Sequence, residues 1–285
     1  MKLTGTCLRA ARAALQWRLL LLWTVALLLP TLVLALPFWS HFSASFDYSV
    51  HVAELAQRLN LSNVADLMYD PARNPVAMKL GAGTAVVTTL LLSPLLTGAV
   101  ATAARFEGTP ALRELFAGAV AEYPRMFRML LWAAVPLCAA LGIASGLQHL
   151  AGSGADSAIT PADGEYLRAG AGVATALLLA LALATLDAGR AVLAADRRRK
   201  SAVLAWWHGL RLLASRPLAM LGSYIAISAA GLALAAVLGL ARIHLPHVGT
   251  AGFLFALLLT QTIALLLAWM RSARLFAMIA IIHKS

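Results

Sequence analysis

Six long, largely apolar runs decide what this chain can become. They lie at about 17–37, 77–104, 128–149, 169–194, 217–240 and 250–270. A helix needs about 20 residues to cross a hydrocarbon core about 30 Å thick. In lipid, backbone N–H and C=O groups find no water, so only helices and closed barrels can span. These runs are rich in Leu and Ala and lack the alternation of barrel strands. The pattern predicts an all-α, polytopic six-helix transmembrane bundle, a single integral membrane domain over 1–285. Composition agrees: 61% of residues are hydrophobic and 12% charged, against about 45–50% and about 25% in soluble domains.

A net charge of +11 suggests nucleic acid until its distribution is read. With the N-terminus placed inside, most cations fall in inner segments: Lys2, Arg9, Arg12 and Arg18; Arg105, Arg113, Arg125 and Arg128; the stretch from Arg190 to Arg216; and Arg271, Arg274 and Lys284. The outer segments carry Asp47, Glu54, Asp66, Asp70, Asp156, Asp163 and Glu165. This is the positive-inside pattern, with both termini cytoplasmic. The basic excess therefore orients the chain and attracts anionic lipid headgroups, and no nucleic-acid partner is expected. Cys7 and Cys138 fall in an inner segment and inside a span, so no disulfide joins them.

The inner connections hold the charge and the aromatics together. In AADRRRKSAVLAWWHGLRLL (194–213), Arg197, Arg198, Arg199 and Lys200 precede Trp206 and Trp207. Ser201 is a candidate N-cap, and Val203, Trp206, Trp207, Leu210 and Leu213 make one apolar face. The cations are expected at the headgroups, with the indoles anchoring an interfacial helix. Residues 109–123 repeat the design. Thr109-Pro110 reads as a helix start, Leu112, Leu115, Phe116, Ala119, Val120 and Tyr123 share a face, and Arg113, Glu114, Glu122 and Arg125 fall elsewhere. Two amphipathic surface helices on the cytoplasmic side are expected. The periplasmic segment 40–76 has helix-like spacing over Val50–Leu67, and 151–166 reads as a flexible loop. Pro30 is expected to kink the first span and Pro37 to end it.

A shift of 91 residues places Gly81 on Gly172, Thr84 on Thr175, Gly98 on Gly189, Gly118 on Gly209, Arg125 on Arg216 and Met129 on Met220. The units 81–149 and 172–240 would then form a parallel internal repeat of span, surface helix, span, with spans one and six packed outside the pair. Arg125 and Arg216 would both sit where the chain re-enters the membrane.

The stretches LQWRLLLLWTVALLLPTLVLALPFW (15–39) and LDAGRAVLAADRRRKSAVLAWWHGLRLLASRPLAMLGSY (186–224) resemble a group of uncharacterised proteobacterial six-span inner-membrane proteins. More distantly, they are similar to the membrane domains of glycerophosphodiester phosphodiesterases. The resemblance implies a six-span fold in the bacterial inner membrane. It carries over no catalytic residues.

Candidate sites are few. Asp187 and Arg190 are neighbours on a helix and read as an ion pair near the inner end of span four. Gln261, between Thr260 and Thr262, is the best candidate for a polar contact within the bundle. Arg271 and Arg274 either mark the inner boundary, with 275–282 lying along the membrane, or face a polar interior; snorkelling favours the first. His41, His51, His149, His244 and His247 gather on the outer side, where isolated interfacial histidines are the simpler reading than a metal site. No phosphate loop, nucleophile elbow, zinc motif or cofactor-binding motif occurs. The sequence therefore reads as a non-enzymatic membrane protein that binds lipid or a membrane-protein partner, acting as an accessory or assembly factor. The alternative is a small permease for a small molecule or lipid. Its weakness is that Pro94 and Pro136 have Thr185 and Ile227 as repeat counterparts, so any helix breaks are not symmetric. Reporter fusions after Asp156 and after Arg199 are expected to report opposite compartments, and the same compartment for both would refute six spans.

Overall fold

Leu- and Ala-rich sequence with every backbone bond satisfied inside one segment yields long helices, and helices are the only regular elements among the described residues. The computed structural model describes residues 3–46, 75–106, 108–158, 160–244 and 249–283. In order these form α1 (Leu3–Ala13), α2 (Trp17–Phe46), α3 (Pro75–Arg105), α4 (Leu112–Asp156), α5 (Pro161–Ala195), α6 (Ala202–Ser215), α7 (Pro217–His244) and α8 (Gly249–Ile282). Six of these, α2 to α5, α7 and α8, are long and apolar enough to cross a membrane, and the protein is a multi-pass membrane protein. Many large apolar side chains, among them Leu29, Val87, Leu131, Leu177 and Ile225, face outward, as lipid permits and water would not. The expected helix over 50–67 and residues 245–248 lie outside the described residues.

Several boundaries differ from the sequence expectation. Pro37 closes the apolar span, Trp17–Pro37, as expected, but it does not end the helix, because α2 runs on to Phe46 through both Pro30 and Pro37. A proline lacks one donor and crowds the preceding turn. Here the neighbouring helix supplies room: a Cβ on Gly81 of α3 would fall 2.9 Å from the Pro37 ring. Pro94 likewise leaves α3 unbroken. The 151–166 stretch is largely helical, since α4 extends to Asp156 and α5 starts at Pro161, with the Thr160 hydroxyl accepting from Asp163 N–H.

The first expected surface helix is not a separate element. It begins at Leu112, after the Thr109-Pro110 pair, with Ala111 N–H donating to the Glu114 carboxylate at 2.7 Å. It then continues through Pro124 and Pro136 as one 45-residue helix, about 67 Å long at 1.5 Å per residue. Pro124 is exposed while Leu115, Ala119, Glu122, Met126, Met129 and Ala133 make an unbroken buried face, so the proline sits off the packed side and the helix survives it. In the second connection α6 and α7 are separate. Pro217 opens α7, and a proline pushes the preceding residue out of the helical region; Arg216 has φ −134° and ψ 58°. Ser201 caps α6, accepting from Leu204 N–H at 3.4 Å.

The packed face of α6 also departs from expectation. Ala202, Ala205, Gly209 and Leu213 are buried, at helical spacing along its whole length, while Val203 and Trp207 are exposed. Small residues win because α6 packs closely on α5: a Cβ on Gly209 would lie 2.6 Å from Gly189 N and 2.7 Å from Ala188 C. The Gly98 and Gly118 positions are similarly close to α4 and α3, with Ala119 O 2.9 Å from a Gly98 Cβ and Thr102 against Gly118. Close approach through small residues is the usual way apolar helices associate where lipid removes the hydrophobic drive.

The last helix occupies the centre rather than the outside. α8 packs against α1, α2, α3, α5 and α7. Its end packs into the bundle instead of standing free of it: Ser272, Ala273, Leu275, Ala277, Met278, Ile279 and Ile281 are all buried. α1 covers the same end, with Ala10 and Ala14 against Ile227, Met270, Ala273 and Ala277 and Trp269 Nε1 donating to Ala11 O at 2.9 Å. Leucine at position 209 is expected to separate α5 from α6 at a cost of about 1–3 kcal/mol. Alanine at Gly146, which has open space around it, is expected to cost nothing. Thermal unfolding in detergent compares the two, and equal melting temperatures would contradict the close contact.

Candidate functional site

Cations from three segments meet at one end of the bundle, and a single carboxylate holds them. Glu122 lies on the buried face of α4, 3% exposed. Its Oε1 accepts from Arg105 Nη2 at 2.7 Å and from Arg197 Nε at 3.4 Å; its Oε2 accepts from Arg125 Nη1 at 2.5 Å. Arg105 is the last residue of α3, and Arg197 lies in the 196–201 turn after α5. The sequence pattern placed Glu122 away from the packed face. Three guanidiniums reverse that, because a carboxylate so paired can be taken out of water.

Arg125 does a second job. Its Nη2 donates to Leu193 O at 2.8 Å and Asp196 O at 2.6 Å, and its Nε to Arg199 O at 3.0 Å. The last carbonyls of a helix lack intrahelical partners, and a cation there also suits the helix dipole. Arg128 Nη1 adds a bond to Lys200 O at 3.0 Å. Within the turn, Asp196 accepts from Arg198 N–H at 2.9 Å and Arg199 Nε at 3.1 Å. The Arg198 backbone bond, and then the Arg199 guanidinium, hold the Asp196 carboxyl below its ordinary range. Arg18 closes the other side of this end, donating to Pro110 O at 3.1 Å.

A second charged layer lies one to two helical turns deeper. Asp187 Oδ1 pairs with Arg190 Nη1 at 2.7 Å, and Oδ2 with Arg274 Nη2 at 3.7 Å. Arg274 Nη1 donates to Ser228 Oγ at 3.2 Å, and its guanidinium lies 4.7 Å from the Tyr224 ring centre. Arg271 donates to Ser93 Oγ at 3.2 Å and lies 5.7 Å from the Trp23 ring centre. The arginines of α8 thus face a polar interior, the reading the sequence ranked second, because α8 continues past them and supplies no water to reach. Hydroxyls and aromatic faces take up most of what Asp187 cannot, and Arg274 Nε stays buried without a hydrogen-bond partner among the described residues.

The sequence-chosen residues divide between these layers and the surface. Asp187 and Arg190 pair as expected. Arg125 is in the upper layer. Arg197 reaches Glu122 but is 67% exposed along its side chain; Arg198 and Lys200 are exposed and Arg199 is held by Asp196. Trp206 turns inward, its Nε1 donating to Thr185 Oγ1 at 3.2 Å and its ring edge-on to Trp132 at 5.8 Å. Trp207 stays outside, with Arg211 over its ring at 5.5 Å. Arg216 is exposed, unlike Arg125, since no turn carbonyls face it. Gln261 is half-buried, and Thr260 and Thr262 donate within their own helix, so the three do not form a site.

Glu122, Arg105, Arg271 and Arg274 were missed or misplaced. Glu122 and Arg125 share the i, i+3 spacing of Asp187 and Arg190, and that was the available signal. Among the described residues no group of three or more His, Cys, Asp or Glu could hold a metal ion; His51 and His247 lie outside them.

Beside the upper layer, an open groove of about 660 Å³ is lined by Arg128, Leu131, Trp132, Lys200, Ser201 and Val203. Cations stand over apolar walls there. No family model matches the chain, and no curated protein or solved structure matches it either.

Replacing Glu122 with leucine leaves three guanidiniums facing one another. Removing one partner of a buried pair costs about 3–5 kcal/mol, so a fall in melting temperature well beyond that of an exposed-site control is expected. Glutamine at 122, which keeps the hydrogen-bond acceptor, is expected to lose less. An unshifted melting temperature for the leucine variant would show that Glu122 is not what holds this end.

Proposed function

We propose that this protein acts without catalysis in the bacterial inner membrane, with both termini cytoplasmic, as an accessory or assembly factor. It binds anionic lipid headgroups at its basic end and so positions itself or a membrane-protein partner. The observation that carries this reading is the groove between α4 and α6. Arg128 and Lys200 stand at its rim, and Leu131, Trp132 and Val203 form its walls. A phospholipid presents the same sequence of chemistry, an anionic phosphate above an acyl chain. Two exposed cations in the adjacent turn, Arg198 and Lys200, are free of carboxylate partners among the described residues, and Trp207 with Arg211 extends the aromatic and basic surface. Gly98 and Gly189 both pack closely on the element that follows, at Ala119 and Trp206, but the 91-residue shift does not superpose those partners. After its first span the unit 81–149 has one helix where 172–240 has two, so the reading does not rest on the repeat. The packed length of α6 supports a return arm of the bundle rather than a helix lying free on the membrane.

A small permease is the second reading, favoured by the buried layer of Asp187, Arg190, Arg271 and Arg274. Against it, α3 and α4 run unbroken through Pro94 and Pro136, whereas transporters use discontinuous helices at their sites.

Lipid binding is tested by replacing Arg197, Arg198, Arg199 and Lys200 with glutamine and measuring retained anionic lipid by native mass spectrometry. A basic residue near an anionic surface is worth about 1 kcal/mol. Arg197 and Arg199 are already held by Glu122 and Asp196, so the expected loss is that of two cations, about 2 kcal/mol or roughly thirtyfold. High salt is expected to erase the difference. An unchanged lipid profile at low salt would overturn the reading.

A further inference from the structure

We infer that a small cavity between the end of α3 and the 196–201 turn is a phosphate site. The cavity has a volume of about 300 Å³ and is lined by Thr102, Arg105, Phe106 and Arg197. It is distinct from the groove at Arg128 and Trp132, with which it shares no lining residue. At about 30 Å³ per water molecule, it has room for one phosphoryl group and several waters.

Charge and hydrogen bonding specify the ligand. Arg105, Arg125 and Arg197 surround Glu122, the one carboxylate they share among the described residues. Arg125 directs its remaining donors to the Leu193, Asp196 and Arg199 carbonyls. The surplus positive charge therefore rests on Arg105 and Arg197, the two that line the cavity. Arg105 Nη2 is used by Glu122, but its Nη1 is buried and has no hydrogen-bond partner among the described residues. A buried guanidinium nitrogen without an acceptor is costly. Nη1 has almost no accessible surface as it stands, so an anion in the cavity meets it once the Arg105 side chain turns toward that space. Thr102 has committed its hydroxyl proton to Gly98 O at 2.9 Å, so the donors aimed at a ligand are guanidiniums. Two such planar forks, each able to donate twice, match the oxygens of a phosphate group and carry the charge of a phosphate dianion. Phe106 closes one wall with an apolar ring. The α3 carbonyl end opposes an anion with only about half a charge, which two full cations outweigh.

The phosphate can belong to a lipid headgroup or to a soluble compound. The first source rests on the proposed contact of this end with anionic headgroups; the site itself does not. The test uses the full chain in detergent, titrated with inorganic phosphate at low salt and followed by calorimetry. Saturable binding is expected. Arg197→Gln, an exposed position that leaves Glu122 paired with Arg105 and Arg125, is expected to weaken it at least tenfold. Arg198→Gln removes the same charge one residue along, outside the cavity, and is expected to change it by no more than about twofold. Arg105→Lys keeps a cation for Glu122 but removes the second nitrogen, and a loss of about tenfold is expected with the melting temperature retained. Absence of saturable phosphate binding to the unaltered protein, or equal losses for Arg197→Gln and Arg198→Gln, would overturn the site. Competition from nanodiscs containing phosphatidic acid assigns the phosphate to lipid, and its absence assigns it to a soluble compound. A protein that shows no preference for anionic over phosphatidylcholine nanodiscs yet still binds inorganic phosphate would refute the headgroup reading and leave the site standing.

Discussion

The carboxylate of Glu122 is the interaction on which the charged end of this bundle depends. Around it stand Arg105 at the end of α3, Arg125 on α4 and Arg197 in the turn after α5. Cations brought this close in a site of low polarity repel unless an anion lies among them. Arg125 then transmits that anchoring to the turn, since the same side chain satisfies three carbonyls between Leu193 and Arg199. The direction in which α6 leaves the turn follows, and with it the seat of Trp206 against Trp132 and Thr185.

Below this layer the chain places another carboxylate, Asp187, with Arg190 and Arg274 in reach. Both layers have fewer acids than guanidiniums. The deeper one makes up the difference with Ser93, Ser228 and the rings of Trp23 and Tyr224. Each layer leaves one buried guanidinium nitrogen unmet among the described residues, Arg274 Nε in the deeper one and Arg105 Nη1 in the upper. What distinguishes the upper layer is the open space that Arg105 and Arg197 border. The rest of the bundle is held by small residues and by buried Leu and Met side chains such as Leu96, Leu186 and Met278, with many other large side chains turned outward.

How much was legible depended on how local the cause was. Six spans follow from run length alone. The Asp187–Arg190 pair follows from spacing on one helix, and the Ser201 cap from one residue and its position. Glu122 was hidden because its three partners come from three different segments, with Arg197 75 residues away. The helical periodicity of 112–123 showed where the apolar residues fell, yet not that a neighbouring pair of arginines would draw an acid onto the packed face. The apolar face chosen for α6 was misjudged for a related reason. Large residues dominate hydropathy, but close helix packing selects small ones, and lipid accepts Val203 and Trp207 on the outside.

The sequence by itself determined the class, the number of spans and the gathering of cations, because these depend on composition, run length and the cost of exposing backbone in lipid. The tertiary structure decided which cations are buried, which carboxylate holds them and that α8 runs through the centre. Those outcomes depend on distances between segments far apart in the chain. Arg271 shows the difference: its sequence neighbourhood fits a membrane boundary equally well, and only the presence of Ser93 and Trp23 beside it, from two other helices, makes an interior position stable.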